Sequence, residues 1–207
     1  LEDFFILYNS NSNDRCIEMI KDDDDLSAFM IEQLEKCMTS YYLKIEDVIQ
    51  IIDGKEGLID EALQKVDLLR KSIEFSEFAE YIAKVKTPQE LADIQIRDSK
   101  IDEAFITSGS PENIMQLFGI FNKDDFSKFS DLLQKAVEEN IEQYIPYLDR
   151  LDEVFSLQTK QSFITQEMKT KTMNYLKANN ILYSEEVPKF ALSDNDYIVQ
   201  CLLQDPT

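Results

Sequence analysis

Carboxylates are the side chains of this sequence with the widest capacity for chemistry. Asp and Glu alone can bind Mg²⁺ or Ca²⁺, and a pair of them can hydrolyse a glycosidic bond. They cluster at Asp22, Asp23, Asp24 and Asp25, at Asp53 beside Gly54, and at residues 193–196. None of these clusters has the spacing of glycine and terminal glutamate that an EF-hand loop requires. We interpret them as helix caps or solvated faces and predict no metal site.

Histidine is absent from the chain. It is the commonest general base and the usual partner of a serine or cysteine nucleophile, so Ser-His-Asp and Cys-His arrangements are excluded. The four glycines match neither the GxxxxGK[ST] nor the GxGxxG pattern of phosphate-binding loops. The sequence therefore favours a protein that is not an enzyme and that binds no cofactor.

The three cysteines are Cys16, Cys37 and Cys201. Their odd number, wide spacing and lack of a CxxC pair favour neither a disulfide framework nor a zinc site. Cys37 and Cys201 lie on apolar stripes, which predicts buried thiols. We expect reduced thiols and a cytoplasmic protein.

The first eight residues are apolar but carry Glu2 and Asp3, where a secretory signal would carry Lys or Arg. No apolar run approaches the roughly 18 residues that a membrane-spanning helix needs. We expect no signal peptide and no direct membrane insertion.

The charge balance is the strongest compositional feature, with 41 Asp and Glu against 21 Lys and Arg and a net charge of −20. Binding of nucleic acid requires clustered basic side chains, so direct binding is disfavoured. A negative field of this size instead attracts basic partners. The alternative is that the acidic residues serve solubility alone.

Aromatic pairs alternate with polar residues at helical spacing. Phe75 and Phe78 form one pair, and Phe126 and Phe129 form another. The i, i+3 spacing is most typical of a buried core. A second interpretation places these rings in an apolar groove with an acidic rim, where they and Asp22–Asp25 would bind a basic amphipathic helix.

Hydrophobic periodicity predicts an all-α fold, an irregular globule of about 8–10 helices. Few glycines and prolines argue against a β-fold, which needs frequent turns. Thr87-Pro88, Ser110-Pro111, Asn122 and Thr165 are helix start signals. The predicted helices cover residues 16–20, 26–41, 45–52, 58–82 with a bend near Ser72, 89–101, 111–118, 123–144 continued through a kink at Pro146 to 155, 166–178 and 194–203.

Two places interrupt this helical pattern. Residues 107–110 combine Ser and Gly, which marks a subdomain boundary within a single helical domain of residues 1–207. Ile181, Leu182 and Tyr183 predict a short strand or hairpin near 181–190.

In its length, acidity and Asn-, Lys- and Ile-rich composition the whole chain resembles the acidic adaptors and chaperones of bacterial secretion machines, in particular the LvgA-type adaptor of a type IV coupling complex. The resemblance is one of composition and assigns no functional residue. It implies an adaptor that docks on a coupling subunit and helps to recruit effector proteins.

We therefore expect a non-enzymatic adaptor or chaperone that binds basic or amphipathic segments of partner proteins. Two other functions fit the composition. A DNA-mimicking inhibitor would space its acids along one face like phosphates, and a metal-dependent enzyme would use carboxylates alone.

Overall fold

The computed structural model describes residues 13–181 and 186–204, and every regular element in these ranges is a helix. The predicted all-α fold is confirmed. The chain divides into two compact units, the first containing residues up to Lys86 together with Ile94–Ile101, and the second containing Thr87–Asp93 and the residues from Asp102 onward. The predicted break at 107–110 lies within the second unit, where Gly109 has a left-handed φ of 69°.

Within the described residues, the first unit contains seven complete helices. They are α1 (Asn13–Lys21), α2 (Asp24–Glu32), α3 (Leu34–Ser40), α4 (Ile45–Ile52), α5 (Glu56–Gln64), α6 (Val66–Leu69) and α7 (Phe75–Val85). α4 is central and packs against α1, α2, α5 and α7. Its Ile45, Val48, Ile51 and Ile52 are fully buried, and each such side chain contributes about 2 kcal/mol through removal from water.

The second unit contains α8 (Pro88–Asp93), most of α9 (Ser99–Thr107) and the helices that follow. These are α10 (Pro111–Ile120), α11 (Lys123–Glu139), α12 (Ile141–Tyr144), a 3₁₀ turn (Ile145–Tyr147), α13 (Leu148–Thr159), α14 (Gln166–Ala178), α15 (Lys189–Leu192) and α16 (Asn195–Gln204).

Six phenylalanines form a continuous aromatic core in the second unit. Ring centroids 5.0 to 5.7 Å apart link Phe118, Phe121, Phe126, Phe129, Phe155 and Phe163. Most of these pairs meet edge to face, the geometry that the ring quadrupole favours. Phe126 near the start of α11 meets Phe155 near the end of α13, so these two helices run antiparallel.

That arrangement corrects the predicted kink at Pro146. α11 ends at Glu139, and the chain reverses through α12 and the 3₁₀ turn. Pro146 lies in that turn, where its missing N–H removes no α-helical hydrogen bond. The helical spacing of apolar residues continues from α11 into α13 because the apolar faces of both helices pack in the same core.

Other predicted helices are also divided, so the described chain has more helices than the predicted 8–10. The predicted helix over residues 58–82 consists of three helices, with breaks at Lys65 and at residues 70–74. The predicted helix over residues 26–41 is interrupted at Gln33. The predicted helix over 89–101 breaks at Gln95, whose φ of 60° is left-handed. Longest of all is α11, with 17 residues.

The strand or hairpin predicted near 181–190 falls partly on residues 182–185, which lie outside the described residues. On either side of them the structure places Ile181 and residues 186–188 in irregular backbone, and Lys189 begins α15.

Lysines hold the helices of the first unit together by binding the ends of their neighbours. The Lys55 ammonium donates to the Lys21 carbonyl at 2.8 Å, at the end of α1. Lys65 donates to the carbonyls of Ile31 and Glu32, at 2.5 and 2.6 Å, at the end of α2. The last carbonyls of a helix have no partner within it and carry partial negative charge, so an ammonium there is stabilising.

Candidate partner-binding clefts

An acidic cleft opens on the second unit where the end of α11 and residues 141–143 of α12 face α14. It is open to solvent and has a volume of about 810 Å³, within the range of ligand sites in proteins. Three glutamates, three asparagines, one glutamine, one tyrosine and one lysine supply its polar side chains: Glu138, Glu139, Glu142, Asn140, Asn174, Asn179, Gln143, Tyr175 and Lys171.

Two helix ends add negative potential to this cleft. The last residues of α11 and of α14 both line it, and helix C-termini carry partial negative charge. Asn140 donates its Nδ2 to the Ala136 carbonyl and Asn179 donates its Nδ2 to the Tyr175 carbonyl, both at 2.9 Å. Each amide thereby keeps its Oδ1 as an acceptor, beside the carboxylates.

The lysine of the acidic cleft is held by the protein itself. Its ammonium, on Lys171, lies 3.1 Å from the Glu138 carbonyl and 3.0 Å from the Glu167 carboxylate. Glu138 accepts a further hydrogen bond from the Thr165 hydroxyl. Glu139 and Glu142 are exposed, and Glu139 forms a long ion pair with Lys135 at 3.8 Å. The cleft therefore keeps an excess of negative charge.

A smaller, apolar cleft of about 310 Å³ lies on the first unit, between the end of α3 and the turn at residues 70–74. Met38, Tyr42, Leu43, Leu68 and Ile73 line it, with Lys44, Lys71 and Glu74 among the polar residues. Tyr42 and Ile73 are exposed. The two clefts thus differ in both polarity and charge.

The predicted acidic run is on the surface of the first unit. Asp22, Asp23, Asp24 and Asp25 are all exposed. Asp23 caps α2, since its Oδ1 accepts the Leu26 N–H at 3.0 Å, and Asp24 pairs with Lys55 at 2.9 Å. Two of the four carboxylates therefore stabilise local structure, and the run borders neither cleft.

The four predicted aromatic residues are core residues. Phe78 and Phe126 are fully buried, Phe75 is 4% exposed and Phe129 is 6% exposed. Rings this deeply buried are not available to a partner in this conformation, and none of the four lines either of the two clefts.

Sequence reasoning missed Glu138, Glu139 and Glu142, although a signal for them exists. Carboxylates are unfavourable at a helix C-terminus because they face the negative end of its dipole, and α11 ends with two glutamates and no basic residue in its last turn. These glutamates could not be recognised as helix-terminal residues, because the spacing of apolar residues predicted that the helix continued to Tyr144.

Cysteine thiols lie inside the first unit. Cys16 and Cys37 are buried and free. Burial raises the pKa of Cys37 to about 11, partly offset by the charges of Lys36 and Lys65. The thiol is therefore protonated at neutral pH, the unreactive form.

Acidic side chains do not converge on a metal site anywhere in residues 13–181 and 186–204, where no group of three or more potential ligands occurs. Among the helices of the same ranges, none is long and apolar enough to cross a membrane.

Comparison with known proteins finds no family model, curated protein or solved structure that matches this chain.

Proposed function

We propose that this protein is a non-enzymatic adaptor that binds basic segments of partner proteins in the acidic cleft between α11, α12 and α14. The observation that carries this proposal is the composition of that cleft. Its carboxylates and amide oxygens accept hydrogen bonds, the C-termini of two helices add partial negative charge, and its lysine is engaged with Glu138 and Glu167.

Such a surface fits ammonium and guanidinium groups. Lys and Arg carry donors and no acceptors, so each finds a partner in a surface of acceptors. Charge-assisted hydrogen bonds of this kind are about twice as strong as neutral ones. The net charge of −20 also steers basic segments towards the protein from a distance.

A polar partner segment suits this cleft better than an amphipathic helix. The walls carry amides and carboxylates, while Ile141 is buried and contributes little apolar surface. An amphipathic helix needs an apolar groove for its apolar face. Of the two kinds of partner segment expected from the sequence, basic and amphipathic, we therefore propose the basic one for this cleft.

Recruitment of effector proteins to a type IV secretion coupling complex in the cytoplasm is one setting in which such an adaptor would act. Support for that setting comes from composition alone. The acidic cleft supports the binding of a basic protein segment, whatever the assembly.

The test is the affinity of a fluorescein-labelled Lys- and Arg-rich peptide, measured by anisotropy. Replacement of two exposed cleft carboxylates, in Glu139→Gln/Glu142→Gln, is expected to weaken binding roughly tenfold, about 1.4 kcal/mol, because each exposed ion pair contributes up to about 1 kcal/mol. Higher salt should weaken binding to the unaltered protein.

A matched control separates the cleft from the overall field. Glu80→Gln/Glu153→Gln removes the same charge from exposed positions outside the cleft and is expected to change affinity by less than about twofold, since distant exposed charges are screened. An equal loss in both variants would show that the peptide responds to net charge only, and the absence of binding would refute the proposal.

A further inference from the structure

The apolar cleft of the first unit contains a residue in a costly backbone conformation. Tyr42 follows the end of α3 with a φ of 59°, the left-handed region that glycine usually occupies at this point. A bulky side chain there costs about 1–2 kcal/mol. The turn itself is needed, because it lets the Leu43 N–H close the helix end on the Cys37 carbonyl at 3.1 Å.

Burial of its own ring does not offset this cost. Tyr42 is 76% exposed, so a glycine would make the same turn with less strain. Non-glycine residues in this backbone region persist where the surrounding structure fixes them, and they cluster at functional sites.

Ile73 presents a second apolar side chain at the same cleft. It is 98% exposed, in the turn between α6 and α7. Burying an isoleucine removes its apolar surface from water and contributes about 2 kcal/mol. Together with Met38 and Leu68, both half-buried, the two exposed residues form an apolar surface that a partner can cover.

Basic side chains border this surface. Lys44 and Lys71 line the cleft and are exposed. Within the described ranges no carboxylate pairs with either ammonium group, in contrast to Lys55, Lys65 and Lys86 of the same unit, whose ammonium groups are bound by carbonyls or carboxylates. Glu74 is the acidic residue of the lining.

We propose that this cleft binds a segment of a partner protein in which a large apolar side chain is flanked by carboxylates. The apolar side chain would pack between Tyr42 and Ile73, and the carboxylates would pair with Lys44 and Lys71. The choice of occupant follows from charge complementarity, because an apolar segment with basic flanks would face two lysines.

This surface is independent of the acidic cleft and has the opposite preference. An adaptor needs two different partners, and the two clefts, one on each unit, select segments of opposite charge. The apolar cleft can therefore be tested without any assumption about the acidic one.

The experiment uses the lack of tryptophan in the chain. Tyr42→Trp places a single fluorophore at the apolar cleft, and Ala178→Trp, in a second protein, places one at the acidic cleft, where Ala178 is an exposed lining residue. The probes are two peptides with a central Leu-Phe pair, one with flanking Glu residues and the other with Gln in their place.

The Glu peptide is expected to shift the emission of Tyr42→Trp to shorter wavelength and to leave that of Ala178→Trp unchanged. It should bind about fivefold more tightly than the Gln peptide, as two exposed ion pairs allow. Introducing Lys44→Gln/Lys71→Gln into the Tyr42→Trp protein should remove the difference in affinity between the two peptides. Introducing Glu139→Gln/Glu142→Gln instead should leave that difference unchanged.

Two further variants separate binding from folding. Ile73→Ser is expected to weaken both peptides about tenfold, as loss of a buried apolar side chain implies, with an unchanged urea midpoint because Ile73 is exposed. Tyr42→Gly, followed by anisotropy of the labelled Glu peptide, should lose affinity while its urea midpoint stays equal or rises.

Equal affinity for the two peptides, or no emission change of Tyr42→Trp with either, would overturn the proposal. An emission shift that depends on protein concentration without peptide would also overturn it, since the occupant would then be a second copy of the chain.

Discussion

The hydroxyl of Tyr144 donates a 2.8 Å hydrogen bond to the carbonyl of Gly109, 35 residues earlier in the chain. Tyr144 is fully buried and Gly109 adopts a left-handed φ of 69°. A Cβ added to Gly109 would lie 2.8 Å from Nδ2 of Asn140. The turn after α9 is therefore fixed to the end of α11 and to α12, although its composition is that of a flexible loop.

Gly109→Ala is expected to lower the free energy of unfolding by about 2 kcal/mol, from the left-handed backbone and the contact with Asn140. Tyr144→Phe should lower it by about 1–2 kcal/mol, because the buried carbonyl loses its partner. Urea denaturation measures both. Gly57→Ala is the control, since a Cβ there meets nothing within 4 Å and Gly57 has no positive φ; an equal effect at both glycines would contradict this account.

Lys86 is held in the first unit by two carboxylates of α5. Its side chain is 6% exposed, and its ammonium lies 2.8 Å from Asp60 and 3.2 Å from Glu56. Burial acts to lower the pKa of Lys86, but the hydrogen bonds and charges of Asp60 and Glu56 outweigh it, so the pKa is raised. Glu56→Gln/Asp60→Asn is expected to cost about 2 kcal/mol in urea denaturation, because the buried ammonium loses its counter-charges.

Lys86→Met should cost less than that double variant, about 1 kcal/mol, because an apolar side chain of similar volume replaces the buried charge. Glu56 stays exposed to water, whereas Asp60 is half-buried and its Oδ1 loses the ammonium as a partner. The two results together distinguish a buried charge that needs partners from a salt bridge that stabilises by itself. A larger loss for Lys86→Met than for the double variant would contradict this interpretation.

Alkaline pH is expected to weaken the first unit through Tyr81. Burial raises the pKa of Tyr81 to about 12, and the charge of Asp53 and its 3.3 Å hydrogen bond with the hydroxyl add to the shift. The folded pKa exceeds the unfolded value of about 10, so this stabilisation is complete below pH 10 and is lost as pH rises through about 12. Tyr81→Phe should reduce the fall in free energy of unfolding between about pH 9 and 11.5. An unchanged slope in that variant would refute the assignment.

Asp98 supports a helix start and an ion pair at once. Its side chain is 4% exposed. Its carboxylate accepts the Arg70 Nε and Nη2 groups, both at 2.6 Å, and the Lys100 N–H at 2.7 Å. Asp98→Ala is expected to cost about 2–3 kcal/mol, since the cap and the ion pair are both lost. Arg70→Lys should cost about 1 kcal/mol, because lysine cannot reproduce the two adjacent donors. Thermal and urea unfolding measure both, and equal losses would contradict the double role of Asp98.

Helix starts could be predicted from sequence because their chemistry is local. Ser110, Asn122 and Thr165 each accept a backbone N–H two or three residues ahead, as their positions before helical periods indicated. Burial of Phe75, Phe78, Phe126 and Phe129 followed from the same periods.

Helix breaks could not be predicted in this way. Apolar residues keep the same helical spacing before and after Gln33, Lys65 and Asn140, because the helix after each break packs its apolar face against the same core. The clefts were missed for a related reason. Glu139 and Asn174 share a cleft because of how α11 and α14 pack, and no local pattern encodes that packing.

The charged residues of this chain fall into two classes, those that hold helices together and those that only face solvent. Lys55 and Lys65 bind carbonyls of other helices, so replacing either one disturbs the scaffold. Glu80, Glu139, Glu142 and Glu153 are exposed, so replacing them leaves the interior intact. Substitution of these glutamates can therefore change the charge of the surface at little cost to the fold, whereas substitution of the lysines at the helix ends cannot.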